Sequence, residues 1–153
     1  MSDSVVVRRV LPAPPDAVFA VFADHNGYDR FAGISRTRIL RPGAGDPRGA
    51  GAVRTMTVAV LPVEEKIVAF EPGKRIRYRI SRIAAPIVHE GAVVELEPIA
   101  AGTLVTWTSR FTVPVPVAGP LIAAATSAFL RLMFTAVLIQ LERGFACSRF
   151  PAG

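Results

Sequence analysis

Residues 65–80, EKIVAFEPGKRIRYRI, decide the fold because two strand-like runs meet there at a turn. In the second run Ile76, Tyr78 and Ile80 lie on one face, and three arginines lie on the other. The segment Glu71-Pro72-Gly73 between the two runs is typical of a tight turn. The pattern predicts an antiparallel hairpin with one face in the core and the other face in water.

The same period of two continues on both sides of this hairpin. With a first strand at Val5–Leu11 and a second at Ile34–Arg41, it predicts a sheet of about seven strands. The further predicted strands are Val53–Val60, Glu65–Phe70, Arg75–Ile83, Ala92–Glu97 and Thr103–Val113, with turns at Pro62, Glu71–Gly73, Pro86 and Pro98–Gly102. Links this short favour an antiparallel meander, because parallel strands need long crossover connections.

Helices are predicted on either side of the meander in the chain. Two short helices, Pro15–Ala23 and Tyr28–Phe31, follow the first strand, and one long helix runs from about Ala118 to about Phe145. The bulkiest residues of the long helix recur every three or four positions, and they are Leu130, Phe134, Val137, Leu138, Leu141 and Phe145. A stripe with this spacing can cover one face of a sheet.

The composition predicts a single folded domain over residues 1–153. Hydrophobic residues make up 51% of the chain and the mean hydropathy is +0.40, which argues against disorder. The stretch Val113–Leu130 carries no charge and has the length of a transmembrane span. Its prolines and the following Arg131 favour the buried helix of a soluble core instead.

The charge and the rare residues narrow the partners and the compartment. The net charge is +6, but no Lys/Arg run and no interleaving of aromatic with basic residues occurs, so we expect no nucleic-acid partner. The single Cys147 and an N-terminus unlike a secretory signal predict a cytoplasmic protein. Two histidines and one cysteine without ligand spacing predict no metal site and no cofactor.

The order of these elements resembles the START/Bet-v-1-like superfamily, also called SRPBCC. Within it the chain is most similar to the bacterial polyketide cyclase/dehydrase and lipid-transport group. The residues that carry the resemblance are Ala13–Phe19 before Asp24, Gly49–Arg54, Glu65–Tyr78, Gly102–Trp107 and the terminal helix. The resemblance implies an α+β helix-grip fold, in which a curved antiparallel sheet wraps around the long C-terminal helix and leaves an internal cavity for a ligand.

The sequence also departs from the pattern of these relatives. Phe31 stands where they often carry Trp, and His89 stands where they often carry Tyr. The stretch His89–Leu96 is one residue longer than usual, which predicts a β-bulge. A bulge there would reverse which side chains of that strand point inward, so its phase stays open.

The predicted cavity is lined mostly by apolar side chains, as ligand pockets commonly are. The predicted lining residues are Met56, Val58, Ile67, Tyr78, Ile80, Trp107, Phe111, Phe134, Val137, Leu138 and Leu141. Tyr78 is the leading ligand contact, because it offers a hydroxyl on an otherwise apolar face. The alternative is that these side chains simply fill the core.

Four polar residues are candidates for chemistry or capping. Arg54 alternates with Met56 and is a candidate catalytic group that holds a carboxylate or enolate; the alternative is an ion pair with Glu65. Glu65 itself is assigned to the ligand-binding site, where it could act as a general acid or base. His89 is the second candidate catalytic residue, and His25 is interpreted as a surface or capping residue.

Three functions fit these observations. The first is a carrier or binding protein for a lipid, polyketide or isoprenoid-like molecule, and the second is a cyclase or aromatase acting on a poly-keto chain. The third is an interaction module that docks through the terminal helix, whose Phe129, Leu132, Met133 and Ala136 form a second apolar stripe. Because one sheet cannot cover both stripes, we expect a homodimer through this helix or contact with a membrane surface.

Overall fold

Seven strands form one antiparallel sheet in the computed structural model, which describes residues 2–147. The strands are β1 (Asp3–Leu11), β2 (Ile34–Arg41), β3 (Val53–Val58), β4 (Leu61–Glu71), β5 (Arg75–Ile83), β6 (Val88–Ile99) and β7 (Gly102–Thr112). Their order across the sheet is β1-β7-β6-β5-β4-β3-β2. From β2 to β7, strands that are neighbours in the sheet are therefore also consecutive in the chain. Short turns make this meander possible.

Helix α1 (Pro15–Ala23) and a 3-10 helix (His25–Arg30) follow β1, and the long helix α2 (Gly119–Ala146) ends the described chain. Pro15 opens α1, where its fixed φ suits the first turn. The C-terminal half of α2 packs its predicted stripe into the core, where Phe134, Leu138 and Leu141 are fully buried. An ion pair between Arg9 and Glu142 also joins β1 to α2. The predicted α+β helix-grip fold is confirmed.

Several predicted boundaries differ from the structure, and β4 and β6 each begin four residues earlier than predicted, at Leu61 and Val88. Pro62 does not form a turn but lies in β4 opposite Thr57, and the turn falls at Ala59 and Val60 instead. A proline is tolerated there because it stands at the beginning of the strand. The second short helix begins earlier than predicted and is a 3-10 helix.

The predicted bulge is confirmed on β6. The pairing of β6 with β7 shifts register between His89 and Gly91, and Gly91 has a φ of +149°. The pairing of β6 with β5 extends only from Glu95 to Ala92. Beyond the bulge the two strands therefore separate, and the side chain of His89 turns into the space between them.

Helix α2 is only partly the buried helix that the sequence predicts. By length and composition it is apolar enough to cross a membrane, yet only 22% of its most apolar window is buried. The exposed part is mainly the N-terminal half, because that half covers a cavity rather than a packed core.

Candidate ligand-binding site

An apolar cavity of about 410 Å³ lies between the inner face of the sheet and the N-terminal half of α2. Its volume is at the lower end of the range for small-molecule sites, roughly 300–1,000 Å³. The predicted residues that line it are Val58, Glu65, Tyr78, Ile80, His89, Phe111 and Phe134. The sheet residues thus form its floor, and α2 forms its roof.

The other predicted lining residues do not reach the cavity. Met56, Ile67, Trp107, Val137, Leu138 and Leu141 are buried behind it, in the packed core, and Arg54 lies there too. The sequence pattern includes them because they share a face with the lining residues. The cavity occupies only one end of that face, since the C-terminal half of α2 fills the other end.

About two thirds of the wall is not predicted from the sequence. The additional residues are Ile83 and Ile87 beside the β5–β6 loop, the turn Ala59–Leu61, Val63 on β4, Ser109 on β7, and Ile122, Ala125, Thr126, Phe129, Leu130 and Met133 on α2. The charge-free stretch that ends at Leu130 is the available signal. This stretch alone predicts a helix in the core rather than a cavity wall, because the bulkier apolar stripe of the helix begins only at Leu130.

Trp107 and Tyr78 fix the floor of the cavity. The indole of Trp107 stacks on Phe134 with ring centroids 4.0 Å apart, and its Nε1–H donates to the Tyr78 hydroxyl at 2.9 Å. Burial raises the pKa of Tyr78, so the phenol keeps its proton at neutral pH. Because the oxygen already accepts from Trp107, the O–H of Tyr78 is left to donate to a molecule in the cavity.

Arg54 holds a buried polar network behind this floor. Its Nε donates to Glu65 Oε2 at 2.6 Å, and its Nη1 donates to His25 Nδ1 at 2.5 Å. The guanidinium also lies over the ring of Tyr28, 4.6 Å from the centroid. Burial alone would lower the pKa of Arg54. The Glu65 carboxylate and the Tyr28 side chain have the opposite and larger effect, so the pKa of Arg54 is raised. The ion pair that was the alternative for Arg54 is therefore present.

His25 is buried, so its interpretation as a surface or capping residue is wrong. The 3-10 helix that begins at His25 turns the imidazole inward, where it bridges two arginines. Its Nδ1 accepts from Arg54 and its Nε2 donates to the carbonyl oxygen of Arg48 at 3.1 Å. Burial, with the charge of Arg54, lowers the pKa of His25 to about 4. His25 is thus neutral at pH 7 and completes the network without adding charge.

Glu65 is where the network meets the cavity. Its Oε2 is bound to Arg54, and the residue lines the cavity. Within residues 2–147, Oε1 has no hydrogen-bond donor, and no fully buried side-chain oxygen lacks one. Oε1 therefore reaches open space, and the cavity is the space that Glu65 borders. It is an acceptor for a hydroxyl or other donor on a ligand.

His89 closes the separation between β5 and β6. Its Nδ1 accepts the backbone N–H of Ile80 at 2.9 Å, and its Nε2 donates to Ser109 Oγ at 3.0 Å. Burial and the charge of Arg79 lower the pKa of His89 to about 4. Both ring nitrogens are therefore engaged and the ring is neutral, which favours a positioning role over proton transfer.

A larger groove of about 950 Å³ lies on the outer side of the same separation. It is lined by Lys66, Arg79 and Arg82, and it shares with the inner cavity only residues near His89. The wall of the outer groove carries these basic side chains, whereas the wall of the inner cavity is mostly apolar. The inner cavity is therefore the better candidate site for an apolar molecule.

The described residues contain no group of three or more His, Cys, Asp or Glu side chains placed to hold a metal ion. The polar side chains that line the cavity are Glu65, Tyr78, His89, Ser109 and Thr126. Three of them are adjacent on the sheet, where His89 stacks on Tyr78 with ring centroids 6.1 Å apart and bonds Ser109 Oγ, and the rest of the wall is mostly apolar. The site is therefore arranged to orient a mostly apolar molecule by a few hydrogen bonds.

Comparison with known proteins agrees with this geometry. Residues 2–145 match the family model described as polyketide cyclase/dehydrase and lipid transport. No curated relative matches the chain.

Solved structures share the fold at low sequence identity. A protein from Thermus thermophilus, TTHA0849, is 18% identical with a TM-score of 0.76, over 95% of this chain and 99% of its own. A START superfamily protein from Mycobacterium smegmatis is 15% identical with a TM-score of 0.72, over 93% and 97%. Ara h 8.0201 is 17% identical with a TM-score of 0.68, over 92% and 98%.

Proposed function

The chain belongs to the polyketide cyclase/dehydrase and lipid-transport family, whose members bind hydrophobic small molecules, and from this premise we propose that it is a carrier or binding protein. Its ligand is a lipid, polyketide or isoprenoid-like molecule held between the sheet and the N-terminal half of α2. The ligand is mostly apolar and carries at least one hydroxyl or carbonyl group.

One observation carries this proposal: the cavity wall is apolar, and its few polar groups have fixed hydrogen-bonding roles. Tyr78 is kept as a donor and Glu65 Oε1 as an acceptor. The hydroxyl of Ser109 accepts from His89 and so has a proton to donate. Groups fixed in this way orient a bound molecule at little entropic cost.

Carriage is favoured over catalysis because neither Tyr78 nor His89 is suited to moving a proton near neutral pH. Tyr78 stays protonated and His89 stays neutral, with both of its ring nitrogens bound. Arg54 does not line the cavity and acts on it by holding Glu65 and by lying over the ring of Tyr78, 5.5 Å from the centroid. Efficient acid–base catalysis needs a group that titrates near the working pH and can reach the substrate.

A cyclase acting on a poly-keto chain is the second candidate, and one observation favours it. A carboxylate, Glu65, and a phenol, Tyr78, face the same cavity from neighbouring strands. Such a pair could remove a proton beside a carbonyl group and stabilise the resulting enolate. A product formed from a poly-keto substrate, and lost in Glu65→Gln, would establish this alternative.

The first prediction tests the cavity with matched helix variants. Ala125 lines the cavity, whereas its neighbour Ala124 is exposed outside it. Ala125→Phe should fill part of the cavity and weaken binding of the fluorescent dye ANS about tenfold, or ~1.4 kcal/mol. Ala124→Phe should leave ANS binding unchanged, and long-chain lipids should displace ANS from the wild type.

Equal ANS affinity in the two helix variants would contradict the proposal, provided that both have the wild-type unfolding temperature. The same is true if no lipid or polyketide-like aromatic compound displaces ANS.

A further inference from the structure

Exposed apolar side chains lie at the cavity wall and along the helix and loop next to it. Val60 at the β3–β4 turn is 86% exposed, and Val117, in the loop before α2, is fully exposed. On α2 itself Leu121 is 76% exposed and Leu132 is 71% exposed, and Phe129 between them borders the cavity. We call these five residues the rim. A soluble monomer rarely leaves large apolar side chains exposed together without a function.

The helix geometry makes the rim continuous with the cavity. At 100° per residue, Leu121, Ala125, Phe129 and Leu132 fall within about 80° of one another on α2. Ala125 and Phe129 also line the cavity. The exposed apolar face of the helix therefore begins where the cavity wall ends, and a molecule leaving the cavity would pass along it.

The backbone holds the rim outward. Val117 has a φ of +63°, in the left-handed region that a β-branched residue rarely adopts. Ala59, beside Val60, has a φ of +56°. Residues in this conformation persist where the surrounding structure imposes them, and they cluster at functional segments. Here both turns present a valine to solvent.

The segments around the mouth carry charge of one sign. The segments that form it, residues 58–63, 83–89 and 113–133, contain no Asp or Glu. Arg131 is the formal charge within them, and Arg82, Glu64 and Glu90 directly adjoin the first two segments. The whole chain carries +6. An apolar rim on segments without acidic residues, in a chain of positive net charge, is complementary to a bilayer that contains anionic lipids.

We propose that the rim docks this protein onto an anionic lipid bilayer, with the mouth of the cavity facing the membrane. A second copy of the chain fits less well. A two-fold pair of α2 helices accounts for Leu121 and Leu132, but Val60 and Val117 lie outside the helix. A fluid bilayer surface can adapt to apolar tips on separate elements. Docking places the cavity beside an apolar phase, and it does not depend on which molecule the cavity holds.

The test is flotation of the full chain with phosphatidylcholine vesicles and with vesicles that also contain phosphatidylglycerol. Leu121→Glu/Leu132→Glu removes two rim residues that do not line the cavity. Its matched control is Leu40→Glu/Val68→Glu, which changes two exposed apolar residues on β2 and β4 by the same charge. The wild type and the control should bind anionic vesicles, and the rim variant should bind at least tenfold more weakly. High salt should weaken binding of the wild type.

Several outcomes would overturn the proposal. One is a wild type that binds neither vesicle, and another is an equal loss in both double variants, which would mean that net charge alone drives binding. A third is a wild-type dimer in light scattering that the rim variant dissociates, without vesicle binding, because a second copy would then cover the helix. ANS binding by the rim variant separates this test from that of the cavity: it should keep the wild-type affinity.

Discussion

At the scale of single residues, the guanidinium of Arg54 is buried and donates hydrogen bonds to Glu65 and His25. The alternation of Arg54 with Met56 predicts an inward side chain, and this is correct. The prediction that it serves chemistry directly is not supported by its position, because Glu65 and His25 take up its donors behind the cavity wall. Arg54 is better described as a positioning residue. Its guanidinium fixes which oxygen of Glu65 is left for a ligand.

The second prediction concerns this buried pair. Arg54→Met leaves Glu65 buried without its partner, and it should reduce the free energy of unfolding by about 3–5 kcal/mol. Arg75→Met, which removes the half-exposed pair with Glu71, should cost no more than ~1 kcal/mol. Chemical denaturation of both variants measures the difference. The double variant Arg54→Met/Glu65→Gln should recover part of the loss.

Two results would contradict this account of Arg54. One is equal stability of Arg54→Met and Arg75→Met. The other is a double variant that is no more stable than Arg54→Met, since the uncompensated charge would then not be the cause.

At the scale of elements, the separation of β5 from β6 is the irregular feature of the sheet. Backbone pairing between them ends at Tyr78 and Ala92, and the imidazole of His89 replaces it by accepting the N–H of Ile80. The bulge at Gly91 turns the side chain into this position. A side-chain acceptor thus replaces a backbone acceptor here, and the hydrogen bond from Ile80 requires an unprotonated Nδ1 on His89.

The third prediction is that stability falls in mildly acidic solution. The folded protein lowers the pKa of His89 and of His25 from 6.5 to about 4, so as pH falls the unfolded chain is protonated first. The stabilising contribution of each neutral ring is complete above pH 6.5 and is lost as the pH falls from 6.5 to 4. The loss should reach on the order of 2–3 kcal/mol for each histidine.

Denaturation at a series of pH values checks this. His25→Gln and His89→Gln should each be less stable than the wild type at pH 7 and should depend less on pH in this window. Wild-type stability that does not change across the window would contradict the buried, neutral state of both rings.

The elements also show what could be predicted from the sequence. Period-two alternation locates the strands, as at Tyr78, because one face of the sheet is in water and the other in the core. Such alternation cannot show how far along a face the packing is solid, so it assigns Met56 and Trp107 to a cavity that they only support. His25 is misplaced by sequence reasoning because its burial depends on Arg48 and Arg54, which are distant in sequence. Ser109 gives no signal, since its role depends on His89.

At the scale of the whole molecule, the two halves of α2 have different structural roles. The C-terminal half completes the core through residues such as Phe134 and Leu141, and the N-terminal half covers the cavity. A helix that is apolar along its whole length serves both tasks. The same division accounts for the exposed rim, because the half that covers a cavity buries less of its own surface.

The most direct test of the central claim is an isotope-filtered NMR measurement of ANS bound to protein with labelled Ile, Leu and Val methyl groups. Magnetisation transfer from ANS should reach Ile80 and Ile122, on opposite walls of the cavity, and should not reach Leu40 or Val68 on the outside of the sheet. Transfer to Leu40 or Val68, with none to Ile80 and Ile122, would contradict the account, because the dye would then bind outside the cavity.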